Sequence, residues 1–286
     1  EWRVEEMRLS WEILDAFREA AAESGIPKID DFNRGDNEGS AYFQVNQKRG
    51  VRWTTAKGFL RPVRQRANLH VLTGAQASAI ELDGKRATGL RFRRGGSDFV
   101  AGVAGELILA SGAIGSPQLL QLSGIGPPEL LAQHGIETRH ELPGVGGNLQ
   151  DHLQLRLIFR VSNTKTLNQS ANSLFGRLGM GLQYFLLRRG PLTMSPSQLG
   201  LFAKSDPSRE TPNLEFHVQP LSLDKFGDPL HDFPAFTASV CNLRPESRGR
   251  VAIASNDPFA APEIRPNYLT APADRQVAAD AIRLTR

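Results

Sequence analysis

Hydrophobic residues recur at helical spacing at both ends of the chain. Near the start, WRVEEMRLSWEILDAFREAAAESG places apolar side chains three or four positions apart, at Val4, Met7, Trp11, Leu14 and Phe17. Near the end, APADRQVAADAIRLTR keeps this period at Val277, Ala281 and Leu284, and no stop signal follows. Both segments predict amphipathic helices. Because each pattern runs to the end of the sequence, we expect a chain cut from a longer one.

A different pattern, an apolar run followed by small residues and a helix, occupies residues 106–126, ELILASGAIGSPQLLQLSGIG. Leu107 to Leu109 predict a strand buried on both faces, and Ala110 to Gly115 predict a tight turn that a ligand or another backbone can approach closely. Ser116 is the expected N-cap, Pro117 the first helical residue, and Gly124 the stop. Unpaired N–H groups at such a helix start attract anions. On pattern alone, however, an ordinary βα unit without a ligand is favoured.

Strand patterns on either side of this unit are antiparallel in character. AIELDGKRATGLRF alternates around Asp83-Gly84, which predicts a β-hairpin, whereas TTAKGFLRPVRQ within residues 51–67 and PPELLAQHG at 127–135 predict short helices. Past Asp151 an amphipathic helix is predicted in NSLFGRLGMGLQYFLLRRG, and strands in QLRLIFRV, NLEFHVQPL, PAFTASVCNL and RGRVAIAS. Long polar connections between those strands favour an antiparallel sheet. We therefore expect an α/β layer, a domain boundary near residue 151, and then an antiparallel sheet.

Composition agrees with a globular enzyme and argues against several other classes. The chain has 286 residues, 40% of them hydrophobic, and 34 basic against 30 acidic residues give a net charge of +4. That length suits two domains or parts of them. The basic clusters at 61–66 and 91–94 lack the interleaved aromatics of a nucleic-acid surface, so we expect no nucleic-acid partner.

Metal, disulfide and membrane-spanning classes are also disfavoured. Cys241 is the single cysteine, so the chain cannot form an internal disulfide. The six histidines show no ligand spacing, and we expect no bound metal. No run of about 18 apolar residues appears, and no signal-peptide pattern precedes the first helix. The expectation is a cytoplasmic protein without a transmembrane segment, with peripheral association to a membrane left open.

Five segments in fixed order resemble the GMC (glucose-methanol-choline) oxidoreductases, a family of flavoenzymes that includes choline dehydrogenase. GAIGSPQLLQLSGIG resembles the second signature of that family, and NLHVLTGAQASA resembles the strand that lays backbone against the FAD adenine, with Ala77 where Val is more usual. PGVGGNLQDH resembles the passage from the flavin domain to the substrate domain. LRPESRG and IRPNYL resemble the far edge of the substrate domain. The likeness is closest to choline-dehydrogenase-like bacterial members.

The resemblance implies FAD as cofactor and a specific set of contacts to it. Ala77 would contact adenine through its backbone, and Ala110, Ser111 and Gly112 would lie beside FAD at the strand-to-helix turn. The implied reaction is oxidation of an alcohol CH–OH group to a carbonyl by hydride transfer to flavin. The electron acceptor, oxygen or a quinone-like molecule, stays open. The oxidised alcohol is equally open.

The resemblance also implies which parts of such an enzyme this chain lacks. Neither the N-terminal glycine fingerprint nor the H-P-x-G-T motif of the catalytic histidine is present, so no catalytic residue is assigned. The implied organisation is a helix and irregular excursion at 1–50, part of an FAD-binding α/β domain at 51–150, an antiparallel-sheet substrate domain with flanking helices at 151–255, and a return segment with a truncated helix at 256–286. The fragment alone is expected to retain FAD poorly and to be inactive. A catalytically silent relative or binding segment is the alternative, and an NAD-dependent dehydrogenase is disfavoured.

Other candidate residues have simpler interpretations. Gly144 to Leu149 carries Leu149 at the third glycine position of a dinucleotide fingerprint, which favours a turn. Asp151 and His152, adjacent in sequence, point to opposite faces of an extended chain and so favour a structural role. His217 faces away from Leu214 and Phe216 and could enter a substrate cavity, although a structural histidine is the favoured interpretation. We expect Arg244 and Arg248 to lie in surface turns.

Overall fold

The computed structural model describes residues 1–195 and 197–286, which form two compact units. One unit, called here the sheet unit, contains residues 1–69, 152–244 and 275–286, and the other, the hairpin unit, contains residues 70–151 and 245–274. Within the described residues, the helices are α1 (Glu12–Glu23), α2 (Arg61–Val63), α3 (Gly112–Leu122), α4 (Pro128–Gln133), α5 (Leu167–Asn172), α6 (Leu174–Leu187) and α7 (Pro272–Thr285). A π-helical turn at Ala56–Leu60 precedes α2, and a 3-10 turn at Pro191–Thr193 follows α6.

The strands fall into one large sheet and several short ladders. In chain order they are β1 (Gly39–Tyr42), β2 (Gln47–Lys48), β3 (Val51–Arg52), β4 (Ala75–Asp83), β5 (Arg86–Arg94), β6 (Ser97–Gly102), β7 (Ile125–Gly126), β8 (His140–Glu141), β9 (Gln154–Arg160), β10 (Leu199–Ala203), β11 (Leu214–Gln219), β12 (Ala235–Asn242), β13 (Arg250–Ala252) and β14 (Glu263–Arg265). The expected mixture of helices and antiparallel sheet is confirmed. The functions expected of the individual sequence ranges stay predictions.

A five-stranded antiparallel sheet forms the centre of the sheet unit, with strand order β1-β10-β11-β12-β9. Alternation dictates its two faces: Leu214, Phe216 and Val218 point to one side of β11 and are buried, whereas Glu215 and His217 point to the other. On the apolar side, Leu14 of α1 and Val277 of α7 join the same core. Phe17 packs edge-to-face on Phe236 at 5.9 Å between ring centroids.

The hairpin unit is built around the antiparallel ladder β4-β5-β6 and helix α3. The end of α3 is fixed on β4, because Ser123 Oγ accepts a hydrogen bond from the Ile80 amide at 2.8 Å and donates to the Leu119 carbonyl at 2.6 Å. Gln121, fully buried, donates to the Val251 carbonyl at 3.1 Å and accepts from the Ile253 amide at 2.9 Å. These bonds tie the segment around β13 to α3.

Two expectations about helix starts are wrong. The first helix begins at Glu12 rather than near Trp2, because Trp11 is extended (φ −132°, ψ 130°) and Glu5 forms a bridge with Val45 instead. Helix α3 begins at Gly112, so Ser116 and Pro117 lie inside it rather than at its start. Gly124, with φ +80°, follows the helix end as expected. The pattern identified the helices but misplaced their first turns.

Strand expectations are also corrected in four places. Leu107 to Leu109 form no strand, and Ile108 is 81% exposed, because no neighbouring strand among the described residues pairs with them. The strand expected from Asn68 begins at Ala75. RGRVAIAS does not join the large sheet: its β13 pairs with β14 in a separate ladder. The hairpin is confirmed, but Asp83 pairs with Arg86, so the loop is Gly84-Lys85.

Candidate cofactor and substrate sites

The turn before α3 is open and lined by small residues. Ala110, Ser111 and Gly112 are all exposed, and Gly112 adopts φ +76°, a left-handed conformation that favours glycine. A Cβ at Gly112 would meet no atom within 4 Å, whereas one at Gly115 would lie 2.9 Å from Ser111 Cβ. Glycine at 115 therefore lets the Ser111 side chain settle against the first turn. Space remains on the other side of the turn.

The N-terminus of α3 is chemically suited to an anionic or polar ligand. Among the residues that the structure describes, no side chain caps it: Ser111 occupies the N-cap position with φ −84° and ψ 10° and accepts no cap hydrogen bond through its hydroxyl. The first amides of a helix have no partner within the helix, and together with the helix dipole they favour phosphate or carbonyl oxygens. The expected FAD contacts at residues 110–112 thus lie where a polar cofactor group would fit.

Ala77, the remaining expected FAD contact, lies on an edge strand. Among the described residues, β4 pairs with β5 alone, Ala77 lies opposite Phe92, and a bulge separates the pairings of Ala77 and Ala79. An edge strand carries backbone groups without a ladder partner, which suits hydrogen bonding to an adenine. Because α3 packs on β4 through Ser123 and Ile80, the structure places all four expected contacts on two adjoining elements of one unit. Their roles toward FAD stay predictions.

A second candidate site lies on the polar face of the five-stranded sheet. His217, Ser239 and Arg156 form one cross-strand row, since His217 pairs with Ser239 and Ser239 pairs with Arg156. Three buried polar atoms on this face, Ser239 Oγ, Gln219 Oε1 and Arg156 Nε, have no hydrogen-bond partner among the described residues. Buried polar atoms in folded proteins are nearly always paired with protein, water or ligand. The face therefore has unused hydrogen-bonding capacity.

His217 forms one of the two partly exposed ends of this row. Its side chain is 27% exposed, its Nε2 lies 3.3 Å from Glu215 Oε1, and its ring packs 5.5 Å from that of Phe43. Gly200, its partner on β10, leaves room for this aromatic ring: a Cβ there would lie 2.4 Å from Phe43 Cζ. The structure thus gives His217 an acidic neighbour and an aromatic wall. Ser239, Arg156 and Gln219 were missed from the sequence, although the alternation of NLEFHVQ and AFTASVC predicts which residues share their face.

A potential metal-binding group, missed by the search for ligand spacing, lies near the same face. The ligand atoms of His152, Glu215 and Cys241 all lie within 4.8 Å of one another. They come from separate parts of the sequence, and only the pairing of β11 with β12 brings Glu215 beside Cys241. His152 Nε2 also lies 3.2 Å from the Leu243 carbonyl oxygen. The expectation that no metal binds stays a prediction.

Asp151, Arg244 and Arg248, for which the sequence favours structural roles, form hydrogen bonds within their own surroundings. Asp151 accepts a hydrogen bond from the Tyr268 hydroxyl, which raises the pKa of Tyr268 to about 12. The Arg248 guanidinium donates to the carbonyl of Ser247 at 3.1 Å, and the Arg244 amide donates to Asn242 Oδ1 at 3.0 Å. These contacts agree with structural roles for Asp151 and both arginines.

Comparison with known proteins gives consistent matches along the chain. The sequence model described as GMC oxidoreductase matches at residues 3–154 with its N-terminal part and at 245–286 with its C-terminal part. The alcohol dehydrogenase [acceptor] of Pseudomonas putida is 38% identical over 274 residues, which cover 95% of this chain and 50% of that protein. An oxygen-dependent choline dehydrogenase of Photobacterium profundum is 35% identical over 274 residues, 96% of this chain and 48% of its own. The chain spans about half the length of these curated relatives.

Solved structures share the fold at lower identity. An FAD-dependent oxidoreductase from Chaetomium thermophilum aligns with a TM-score of 0.87 and 24% identity, covering 99% of this chain and 55% of that one. Pyridoxine 4-oxidase from Mesorbium loti aligns with a TM-score of 0.83 and 24% identity, covering 100% of this chain and 52% of that one. In the part of the chain that the structure describes, no helix is both long and apolar enough to cross a membrane.

Proposed function

The chain belongs to the GMC oxidoreductase family, and from that premise we propose that it forms part of an FAD-dependent enzyme that oxidises an alcohol to a carbonyl compound. The observation that carries this proposal is the uncapped start of α3 beside an open turn with positive φ at Gly112. Ala110, Ser111 and Gly112 would hold a polar group of FAD, and the backbone of Ala77 would contact adenine. Bound flavin would supply the acceptor for a hydride from the alcohol carbon.

We propose that the polar face of the sheet binds the substrate. The alcohol oxygen would hydrogen-bond to His217, and the carbon skeleton would pack on the Phe43 ring. His217 is assigned here as a substrate-positioning residue, and removal of the hydroxyl proton is not assigned to it. The names of two relatives point to choline or a simple alcohol as the first substrates to try.

The cofactor assignment is tested with the full-length gene product and two glycine variants. Gly112→Val should reduce bound flavin, measured by absorbance after purification, by at least about tenfold, because the side chain enters the proposed cofactor turn. Gly95→Val is the matched control, since Gly95 also has positive φ (+58°) and open space but lies in the turn between β5 and β6. Equal flavin loss in both variants would show that backbone strain, not cofactor contact, is the cause.

The reaction is tested by adding alcohols to the same protein under anaerobic conditions. Bleaching of the flavin spectrum by choline or a primary alcohol would support the proposal and select the substrate class. His217→Asn should then raise KM more than it lowers kcat, because a positioning contact acts chiefly on binding. A colourless protein that reduces NAD with the same alcohols would overturn the flavoenzyme assignment, and a flavoprotein inert to every alcohol would favour a catalytically silent relative.

A further inference from the structure

Helix α6 directs its apolar stripe away from the protein. On a helical wheel, Gly176, Met180, Gly181 and Tyr184 share the half-buried side, and no residue of the helix is fully buried. The opposite side carries six large apolar side chains, each at least 54% exposed: Leu174, Phe175, Leu178, Leu182, Phe185 and Leu186. We call these six residues the α6 stripe. No polar residue interrupts it, and such contiguous apolar patches mark interaction sites.

The orientation of the stripe is fixed by contacts at both ends of α6. At its start, Gly176 approaches the backbone of α5 so closely that a Cβ would lie 2.1 Å from the Ser170 carbonyl oxygen. At its end, the Arg188 carbonyl oxygen accepts a hydrogen bond from Arg8 at 3.4 Å, and a Cβ at Gly50 would overlap the same oxygen. α5 is itself anchored by fully buried Asn168, which donates to Ser222 Oγ at 3.0 Å and to the His231 carbonyl at 3.0 Å. The helix is therefore held with its apolar side outward.

Charge within the segment that carries the stripe has a single sign, although Glu5 and Glu6 from the start of the chain line the same cavity as Arg189. Residues 152–205 contain no Asp or Glu, and basic residues flank the helix at Lys165, Arg177, Arg188 and Arg189. Arg188 packs its guanidinium on the Tyr184 ring at 4.9 Å, which keeps one of these charges beside the helix end. A helix with Leu and Phe on one side and Lys or Arg around it is suited to lie in the plane of a lipid interface. Anionic headgroups would meet the basic residues while acyl chains take the stripe.

From this geometry we propose that α6 docks on an anionic lipid bilayer, with the α6 stripe inserted among the acyl chains and Arg188 and Arg189 at the headgroups. A second copy of the chain is the competing occupant, but a symmetric contact would bring Arg188 of both copies together, and Glu5, which lines a cavity with Arg189, is already paired with Arg8 at 3.8 Å. The proposed docking is peripheral, and it is independent of the FAD assignment.

The test is co-sedimentation of the full-length protein with vesicles of phosphatidylcholine, with and without phosphatidylglycerol. We expect binding to vesicles with phosphatidylglycerol that weakens by at least about tenfold in Leu182→Asp/Phe185→Asp. Arg188→Gln/Arg189→Gln should weaken binding by about fivefold per residue at low salt and make it less salt-dependent. Val100→Asp, at an exposed apolar position on β6, is the matched control and should bind like the unchanged protein.

Two further measurements keep the proposal falsifiable if the double aspartate variant misfolds. Leu182→Trp conserves an apolar side chain and should show a blue-shifted tryptophan emission when such vesicles are added, relative to the unchanged protein. The molar mass in solution by light scattering should not depend on the stripe. No sedimentation of the unchanged protein, no emission shift, equal loss in Val100→Asp, or a dimer that Leu182→Asp/Phe185→Asp dissociates would each overturn lipid docking.

Discussion

Helices α1 and α6 have similar lengths, and each has an apolar side, yet they place those sides in opposite environments. α1 buries Leu14 completely and packs Phe17 on the sheet, whereas α6 leaves Leu178 and Phe185 in solvent. The difference lies in what each helix meets. α1 lies over the apolar face of the five-stranded sheet, and α6 is held on α5 through its glycine side. Periodicity thus predicts a helix and its apolar side, but not whether the protein itself covers that side.

The largest expected loss of stability comes from a change in the buried helix of this pair, α1. Leu14→Ala removes a fully buried side chain from the core between α1 and the sheet and should lower the free energy of unfolding by about 2 to 5 kcal/mol, because it leaves a cavity as well as losing burial. Leu182→Ala, the same change on α6, should alter it by less than about 0.5 kcal/mol. Urea denaturation followed by circular dichroism measures both. Similar losses in the two variants would mean that the stripe is covered within the protein.

The next effect concerns the anchor that holds α5, and through it α6. Asn168→Ala removes an acceptor for the Ser222 amide at 2.9 Å and a donor to Ser222 Oγ, so it leaves buried polar groups unpaired and should cost about 2 to 3 kcal/mol. Asn172→Ala on the same helix is the control: its side chain is exposed and donates to the His231 carbonyl at 2.9 Å, so a cost below about 0.5 kcal/mol is expected. Equal unfolding midpoints for the two variants would contradict the anchoring role.

The same contrast explains how much of the molecule the sequence predicts. β11 follows most clearly from alternation, because Leu214, Phe216 and Val218 on one face are buried while Glu215 and His217 on the other are partly exposed. β12 is buried on both faces, and an apolar run predicts it as a strand. Leu107 to Leu109 were predicted as a strand from an equally apolar run, but a strand requires a neighbour to pair with, which no local pattern reveals. The row of His217, Ser239 and Arg156 likewise depends on register between β9, β11 and β12.

Local chemistry predicts the turn at residues 110–112, which is proposed to hold the cofactor, better than it predicts the polar row. The small residues at 110–112 lie next to one another in sequence, so the turn and its exposed position follow from composition alone. Even there, the expected start of α3 lies five residues too late, because Ser116 and Pro117 resemble a helix start whereas Ser111 occupies the N-cap. The helix continues through Ser116 and Pro117 in the structure, although helix propensity disfavours proline at an interior position.

A third prediction separates close packing from helix propensity within α6. Gly176→Ala should cost about 1 to 3 kcal/mol, because its Cβ would overlap the Ser170 carbonyl oxygen. Gly179→Ala, in the same helix with open space around it, should instead stabilise by about 0.5 to 1 kcal/mol through better helix propensity. Thermal unfolding gives both signs. If Gly176→Ala were also stabilising, α6 would not rest on α5 as described, and the outward direction of its stripe would lose its support.

The smallest expected loss of stability concerns hydrogen bonds, not apolar packing, at the start of α7. Asp274 is buried, which disfavours its charge, but hydrogen bonds from the amides of Glu246 at 2.9 Å and Ser247 at 2.8 Å outweigh burial and hold its pKa below the ordinary value. Since the folded-state pKa is lowered, the carboxylate stabilises the fold above the unfolded pKa of about 3.9, and that stabilisation is lost as pH falls through the folded pKa.

Asp274→Asn should therefore lower the free energy of unfolding by about 1 to 2 kcal/mol at neutral pH. The carboxylate accepts one backbone hydrogen bond on each oxygen, whereas an amide has a single oxygen and would leave one of the two backbone amides without its acceptor. The difference from the unchanged protein should shrink as the pH is lowered below about 4. Asp280→Asn, whose carboxylate pairs with exposed Arg283 farther along α7, should cost less than about 1 kcal/mol. Urea unfolding at several pH values measures these differences. If the cost of Asp274→Asn stays constant at acid pH, the shape of the side chain and not its ionised carboxylate fixes this end of α7. Apolar burial would then be what holds α7, as it holds α1 and does not hold α6.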